Sequence, residues 1–396
     1  MNRHIAVVTT SRADYGHLYW PLKVLMAEPG MQVSIIALGP HLSPAFGHTI
    51  DEIEKDGFHV AERVECLLSS DTDVGMAKTI GVAAISLADI LGKMRPDILL
   101  LIADRYEMLA PASVALALRI PIAHIEGGEV SEGAIDDAVR NALTKMSHIH
   151  LTTTERARLR VLALGEESWR VHRVGAPSLD HLRRRTLLPR DVIESDLGIN
   201  LTKSTIIVAF HPVTLNADTT SEADALFAAL DQLPQQLVFC YPNADAGTYN
   251  IVRRISAFCA AHPRARLFTN LDQLRYWSLL KHVDLVIGNS SSGIMETPSL
   301  ALPAVNIGTR QKGRERARNI LDAETSAASI LERANHALSS GFRDSLAGLT
   351  NPYGDGRASE RIATILSETP LGEKLLIKRE VPLDAGLWTR AGDSDL

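Results

Sequence analysis

Leu99–His150 reads LLLIADRYEMLAPASVALALRIPIAHIEGGEVSEGAIDDAVRNALTKMSHIH, and its pattern decides the fold. Ile98–Ile102 is an unbroken aliphatic run, the signature of a parallel strand covered on both faces. It stops at Asp104-Arg105. Ile120–Ile125 repeats the pattern and stops at Glu126-Gly127-Gly128-Glu129, while the Ala- and Leu-rich stretch Leu109–Leu118 between them predicts a crossover helix. Ligands of open parallel sheets sit outside the carboxyl ends of the strands, so Asp104 and Glu126 are expected to share one crevice. Asp136-Asp137 follows in a loop or first helical turn, with Arg140 about one turn on. A single acid at a strand end is as readily a solvated cap. Three acids and two arginines converging beside a Gly-Gly turn point to a site.

Outward from this unit the chain alternates. His4–Thr10, Val33–Leu38 and Phe58–Val64 are predicted strands, and Leu18–Met26 and Ala77–Gly92 predicted helices. His150–Thr154 adds a strand. The loop Ser11–Gly16 carries neither a dinucleotide fingerprint nor a P-loop. Leu182–Asp196, polar and with Pro189, reads as a linker. A second alternation then begins, with strands over Thr205–Phe210, Leu237–Tyr241, Leu285–Ile287 and a last one over Ala304–Ile307, and helices over Ala223–Leu230, Asn250–Ala261 and Ala358–Leu366. The fold class is therefore α/β, two Rossmann-like domains facing a cleft, and such clefts are favoured ligand sites. The tail beyond Glu373, with Trp388, shows no period.

The length of 396 residues suits two domains, and a net charge of −6 argues against a nucleic-acid partner. Cys66, Cys240 and Cys259 lack metal-type spacing and cannot all pair, so a reduced, cytoplasmic setting is expected. No stretch is read as a membrane span or a signal peptide.

In the second half, Gly288-Asn289-Ser290-Ser291-Ser292-Gly293 followed by Glu296 suits a phosphate or diphosphate. Small residues let the backbone approach, N–H groups at a helix start favour anions, and Ser290 and Ser291 add hydroxyl donors. Glu296, just inside the expected helix, is placed to accept from ribose hydroxyls. Gly308–Arg314, containing Arg310, is expected to supply mobile positive charge. His211, after a strand and before Pro212, is a candidate phosphate donor or general acid–base. Arg12 faces the same cleft from the first strand's end. Phosphate donors on one wall and carboxylates on the other fit a nucleotide-sugar enzyme.

SRADYG, HLSPAFGHT, ADRYEML, AHIEGGE, IDDAVRNALTKMSH, FHPVT, YPNAD, GNSSSGIME and GTRQKGR occur in that order over nearly the whole chain. Each is weak alone; as an ordered set they resemble the hydrolysing UDP-N-acetylglucosamine 2-epimerases, the sialic-acid-pathway branch of that family. The resemblance implies the glycosyltransferase-B fold: residues 1–180 carrying the acids, 181–357 binding UDP, and 358–396 packing back on the first domain. It implies conversion of UDP-GlcNAc and water to N-acetylmannosamine and UDP, by elimination of UDP across C1–C2 and hydration, with no metal and no redox cofactor. Close relatives act instead on UDP-N,N′-diacetylbacillosamine, and the sequence leaves both sugars open. By the same likeness Asp104, Glu126 and Asp136 are the catalytic carboxylates, joined by Arg140 and His211. Arg12, Arg105, Ser290, Ser291, Glu296 and Arg310 form the UDP-contacting set. The expected partners are a UDP-sugar and further copies of the chain, as a dimer or tetramer. Three departures stand out: Ala103 where many members have Gly, Asn141 where His is usual, and a longer loop before Asp136 that leaves Asp136 or Asp137 as the third acid. A glycosyltransferase would need no acid trio, a non-hydrolysing epimerase would return a UDP-sugar, and a sensor could dispense with the acids.

Overall fold

A computed structural model describes residues 3–216, 218, 220–379 and 381, so Trp388 and the tail from 382 lie outside the described residues. Two wholly parallel sheets carry the chain. The first comprises β1 (Arg3–Thr9), β2 (Met31–Leu38), β3 (Val60–Val64), β4 (Ile98–Ile102), β5 (Ile122–Ile125), β6 (Ile149–Thr152) and β7 (Val171–Arg173), in the order β3-β2-β1-β4-β5-β6-β7. The second comprises β8 (Thr205–Ala209), β9 (Gln236–Cys240), β10 (Ala265–Phe268), β11 (Leu285–Gly288), β12 (Ala304–Ile307) and β13 (Ile320–Ala323), in the order β10-β9-β8-β11-β12-β13. Both orders reverse direction once, between β1 and β4 and between β8 and β11. A doubly wound sheet opens its ligand crevice there.

Every residue of β4 is fully buried, as a continuous aliphatic run in a central parallel strand requires. The helix Leu109–Leu118 stands where the sequence places it. Elsewhere the sequence reading needs correction. Ser11–Gly16 is not a loop: a helix runs over Arg12–Ala27, with Ser11 as N-cap accepting from the Asp14 N–H. Ala304–Ile307 is not the last strand, and β7, β10 and β13 were not anticipated; they lie at or toward sheet edges and are three or four residues long. Leu182–Asp196 is not a bare linker, since a helix over Arg190–Leu197 buries Ile193 and Leu197 in the second half. The helix Asp73–Met94, with 22 residues, is also long and apolar enough to cross a membrane by those criteria alone. Its buried residues Thr79, Ala83, Leu87 and Leu91 recur every fourth position and join the first core.

The helix Ala358–Glu368 crosses back to the first sheet, where Ile362, Ala363 and Leu366 enter its core. Its first turn is held by Asp180, whose carboxylate accepts from the N–H groups of Ala358 (3.0 Å) and Ser359 (2.8 Å). Buried Arg170 then donates to the carbonyls of Lys374, Leu375 and Ile377 at 2.8–2.9 Å. Asp180→Ala should cost about 1–2 kcal/mol through loss of this cap, read as a lowered urea midpoint. An unchanged midpoint would show that the crossing helix is secured by packing alone.

Candidate active site

The strand ends converge on one enclosed cleft of about 160 Å³ between the sheets. Arg12, Asp104, Arg105, Glu126, Asp136, His211, Ser290, Ser291, Glu296 and Arg310 all line it. Arg140 does not; it lies behind Asp104, almost fully buried, and contacts its carboxylate. The same guanidinium donates to the Glu129 carbonyl and the Ser131 hydroxyl, each at 2.9 Å. Arg140 therefore positions and charges Asp104 from the rear.

The acids leave their strands through an uncommon backbone. Ala103 and Glu126, directly after β4 and β5, adopt left-handed conformations with φ of 57° and 69°. Such φ values cost a residue with a Cβ about 1–2 kcal/mol. The turns bring Asp104 and Glu126 inward. Asp136 comes from the start of the helix Asp136–Met146, held by Arg310 of the opposite half at 3.1 Å. Asp137 instead accepts from the Ser131 N–H at 2.8 Å and is 30% exposed, so Asp136 is the acid that meets the cleft. Asn141 is exposed and reaches Asp137, away from the cavity.

Environment separates the three carboxyls. Burial would raise all of them. For Asp104 that effect is outweighed by Arg140, Arg314, Arg310 and Arg105, which hold its pKa below the ordinary value. For Glu126, burial is outweighed by His17, whose Nδ1 lies 2.6 Å from Oε1. Asp136 goes the other way: burial, then the charge of Asp104, push it to about 7 against the pull of Arg310. Near neutral pH these three thus comprise two carboxylates and one carboxyl that can hold a proton.

The second-half wall differs in detail from its sequence reading. The helix after the serine loop is one turn, Ser292–Met295, and Glu296 caps its end; Pro298, with no N–H to donate, follows closely. So short a helix contributes little dipole. Gly288 is required where it stands, since a Cβ there would sit 1.9 Å from the Ala209 carbonyl oxygen. Gly308–Arg314 is not a mobile solvated loop, because Arg310, Gln311 and Arg314 are all buried. Arg310 and Gln311 both donate to the Asn289 carbonyl, at 3.1 and 3.0 Å. Arg105 is matched by Glu107 (2.9 Å) and, across the cleft, by Asp245 (2.6 Å). Arg12 reaches the Thr269 carbonyl at 3.0 Å. His211 accepts the Asn243 N–H on Nδ1 at 3.1 Å, and burial followed by Arg310, Arg105 and Arg12 keeps it neutral. It presents Nε2–H as a donor, which fits phosphate binding better than acid catalysis.

His17 was missed. It lies in the second turn of a helix whose start, Ser11–Gly16, reads as loop, and the signal that could have placed it is the pair Ser11 and Asp14, three residues apart as in a capping box.

Residues 23–367 match the family described as UDP-N-acetylglucosamine 2-epimerase. A Campylobacter jejuni protein named GDP/UDP-N,N'-diacetylbacillosamine 2-epimerase (hydrolyzing) is 38% identical over 325 residues, 81% of this chain and 84% of its own. A Legionella pneumophila protein named UDP-N,N'-diacetylbacillosamine 2-epimerase (hydrolyzing) is 34% identical over 379 residues, 96% and 99% respectively. The crystal structure of UDP-GlcNAc 2-epimerase from Neisseria meningitidis bound to UDP-GlcNAc matches with a TM-score of 0.78 and 17% identity, covering 92% of this chain and 100% of that one; this likeness speaks to the glycosyltransferase-B-like fold. With sequence agreement over most of its length and the same two-sheet architecture, the chain belongs to the UDP-N-acetylglucosamine 2-epimerase family of enzymes.

Proposed function

We propose that the chain is a hydrolysing UDP-sugar 2-epimerase, acting on a UDP-2-acetamido sugar by elimination and hydration. The observation that carries this reading is the unequal surroundings of three buried carboxyls on one wall, Asp104 against Arg140, Glu126 against His17 and Asp136 against Arg310, opposite serine, histidine and arginine donors. Inversion at C2 removes a hydrogen from one face and returns one to the other, so it needs an ionised base and a protonated acid together. Asp104 and Glu126 are suited to the base and to orienting hydroxyls. Asp136 is suited to the acid. As the C2 proton leaves, the C1–oxygen bond breaks and UDP departs with the bonding electrons. Ser290, Ser291, His211, Arg12 and Arg310 meet its phosphates, and Glu296 its ribose. Water then adds its oxygen to C1, and the acid protonates C2.

Two sugars remain in play. The relatives at 38% and 34% identity are named for N,N'-diacetylbacillosamine. We therefore favour the UDP-linked 2,4-diacetamido sugar. UDP-GlcNAc is the second reading, favoured by a Neisseria meningitidis relative named UDP-N-acetylglucosamine 2-epimerase at 30% identity over 385 residues.

NMR of the protein with each UDP-sugar in D₂O should show free UDP and a 2-epimeric sugar carrying deuterium at C2. Retention of the C2 hydrogen would rule out elimination with solvent exchange. Asp136→Asn keeps the acid's size but not its proton, so turnover should fall by about two or more orders of magnitude, with UDP affinity by calorimetry little changed.

The cleft is smaller than the roughly 300–1,000 Å³ usual for small-molecule sites, and substrate entry on this reading requires the halves to part. Gly133 then limits how they close again. A Cβ there would lie 2.6 Å from the Thr309 carbonyl and 2.7 Å from the Arg310 Cα, both in the opposite half. Gly133→Ala should leave the thermal midpoint almost unchanged while turnover falls at least tenfold. Full activity in that variant would show that catalysis does not need this degree of closure.

A further inference from the structure

His17 is the one cleft-lining imidazole placed between carboxylates of both halves. Its Nδ1 is 2.6 Å from Glu126 Oε1, at the end of β5, and its Nε2 is 3.9 Å from Glu296 Oε1, at the end of the one-turn helix beyond β11. The side chain is 18% exposed, and the two carboxylates 7% and 5%. Among the described residues, no arginine pairs with either carboxylate at this range. Glu126 is aimed at the ring by its own left-handed backbone, and its N–H is fixed by the Leu151 carbonyl at 2.9 Å. Glu296 is held from its far side by the Ser292 hydroxyl at 2.5 Å, which Tyr276 contacts in turn.

We propose that His17 is a positioning residue that works as a cation. Protonated, it donates Nδ1–H to Glu126 and turns Nε2–H toward Glu296, registering the sugar-facing acid of one half against the nucleotide-facing acid of the other. The inference rests on the proposed epimerase reading for the roles of those two acids, but the bridge itself rests on geometry alone.

A neutral imidazole cannot do this. With one ring N–H it can donate to only one of the two carboxylates, and the other would face an acceptor lone pair. Leaving two buried carboxylates without a cation between them is also costly. The acidic groups acting on His17 are Glu126, Glu296 and, from its own helix, Asp14, and His181 is a neighbouring base. Burial alone would favour the neutral ring; the three acids reverse that and carry it to about 9. The sign follows: His17 is charged at neutral pH, and the bridge is lost as pH rises through that value. Charged, it also keeps Glu126 ionised, and of the three proposed catalytic carboxyls only Asp136 is raised.

The test reads the bridge first without any substrate. In the intact wild-type chain labelled with ¹⁵N-histidine, the His17 ring nitrogens should show the imidazolium pattern at pH 7.5 and titrate well above 7. In Glu126→Gln the same titration should move down by one unit or more. A His17 that is neutral at pH 7.5, or indifferent to Glu126→Gln, overturns the proposal whatever the enzyme's substrate. Turnover supplies the second arm. His17→Gln can still donate but carries no charge, and should lose tenfold or more in kcat with a smaller change in KM. His17→Lys restores the cation and should recover kcat to within a few-fold of wild type. Wild-type kcat in His17→Gln, or equal losses in the two variants, also overturns the assignment. If the NMR titrations behave as stated but no UDP-sugar is turned over, the epimerase reading fails while the bridge stands.

Discussion

Buried carboxylates facing one cavity can coexist only if cations share the cavity with them. An unmatched charge in so dry a place would be removed by protonation or would oppose folding. The structure meets this by assigning a different cation to each acid: Arg140 to Asp104, His17 to Glu126 and Arg310 to Asp136. The three cations are not equivalent. Arg140 belongs to the same half as its acid and is anchored by the Glu129 carbonyl and the Ser131 hydroxyl, so this counter-charge does not depend on the opposite half. Arg310 comes from the other half. Within the closed cleft, an anionic ligand that draws this guanidinium away leaves Asp136 buried without its counter-charge, and the proton is held more tightly. The acid proposed to carry the proton is the one whose cation comes from the opposite half.

The parallel sheet is what makes this matching possible. β4 and β5 lie side by side in register, pairing Leu99–Ile102 with Ile122–Ile125, so their ends arrive at one level. Both strands are fully buried, and all their residues but His124 of β5 are aliphatic. The strain sits just past their ends, at Ala103 and Glu126. His124, buried within β5, donates from Nε2 to the Ala103 carbonyl at 2.7 Å and so secures the first of these turns. Backbone strain of this kind persists where surrounding contacts overdetermine it.

What could be read from the sequence follows the same physics. A fully buried parallel strand is a long aliphatic run, and β4, β5, β8 and β11 declared themselves together with the acids and small residues that end them. The edge strands did not, because Val171–Arg173 and Ala265–Phe268 are short, half-exposed and contain arginines. The cleft-lining set was legible because those residues follow strand ends. His17 was not, because it depends on a helical turn rather than a strand end, and a lone histidine carries no period. Burial of Arg310, Gln311 and Arg314 was equally hidden. A run with three basic residues in seven looks solvated until the opposite half closes over it and supplies Glu129, Ser131 and Asp136 as partners. Cross-cleft pairing is tertiary information, and local pattern does not encode it.

The second-half wall shows how the same constraint selects a neutral group. Arg12, Arg105 and Arg310 already crowd this side, and a fourth positive charge would be repelled by them and poorly solvated. His211 meets the condition by remaining an imidazole. Its orientation is fully specified: the Asn289 carboxamide accepts the His211 N–H at 2.7 Å and donates to its carbonyl at 2.9 Å, while the Asn243 N–H occupies Nδ1. The tautomer with hydrogen on Nε2 follows from that last contact. On the proposed reading, charge for a departing diphosphate comes from the guanidiniums, and direction comes from a neutral donor whose angle the backbone of two loops fixes. Had His211 been the proton carrier, it would need to become an imidazolium among three arginines, at a cost the carboxyl of Asp136, across the cavity and beside Asp104, does not incur.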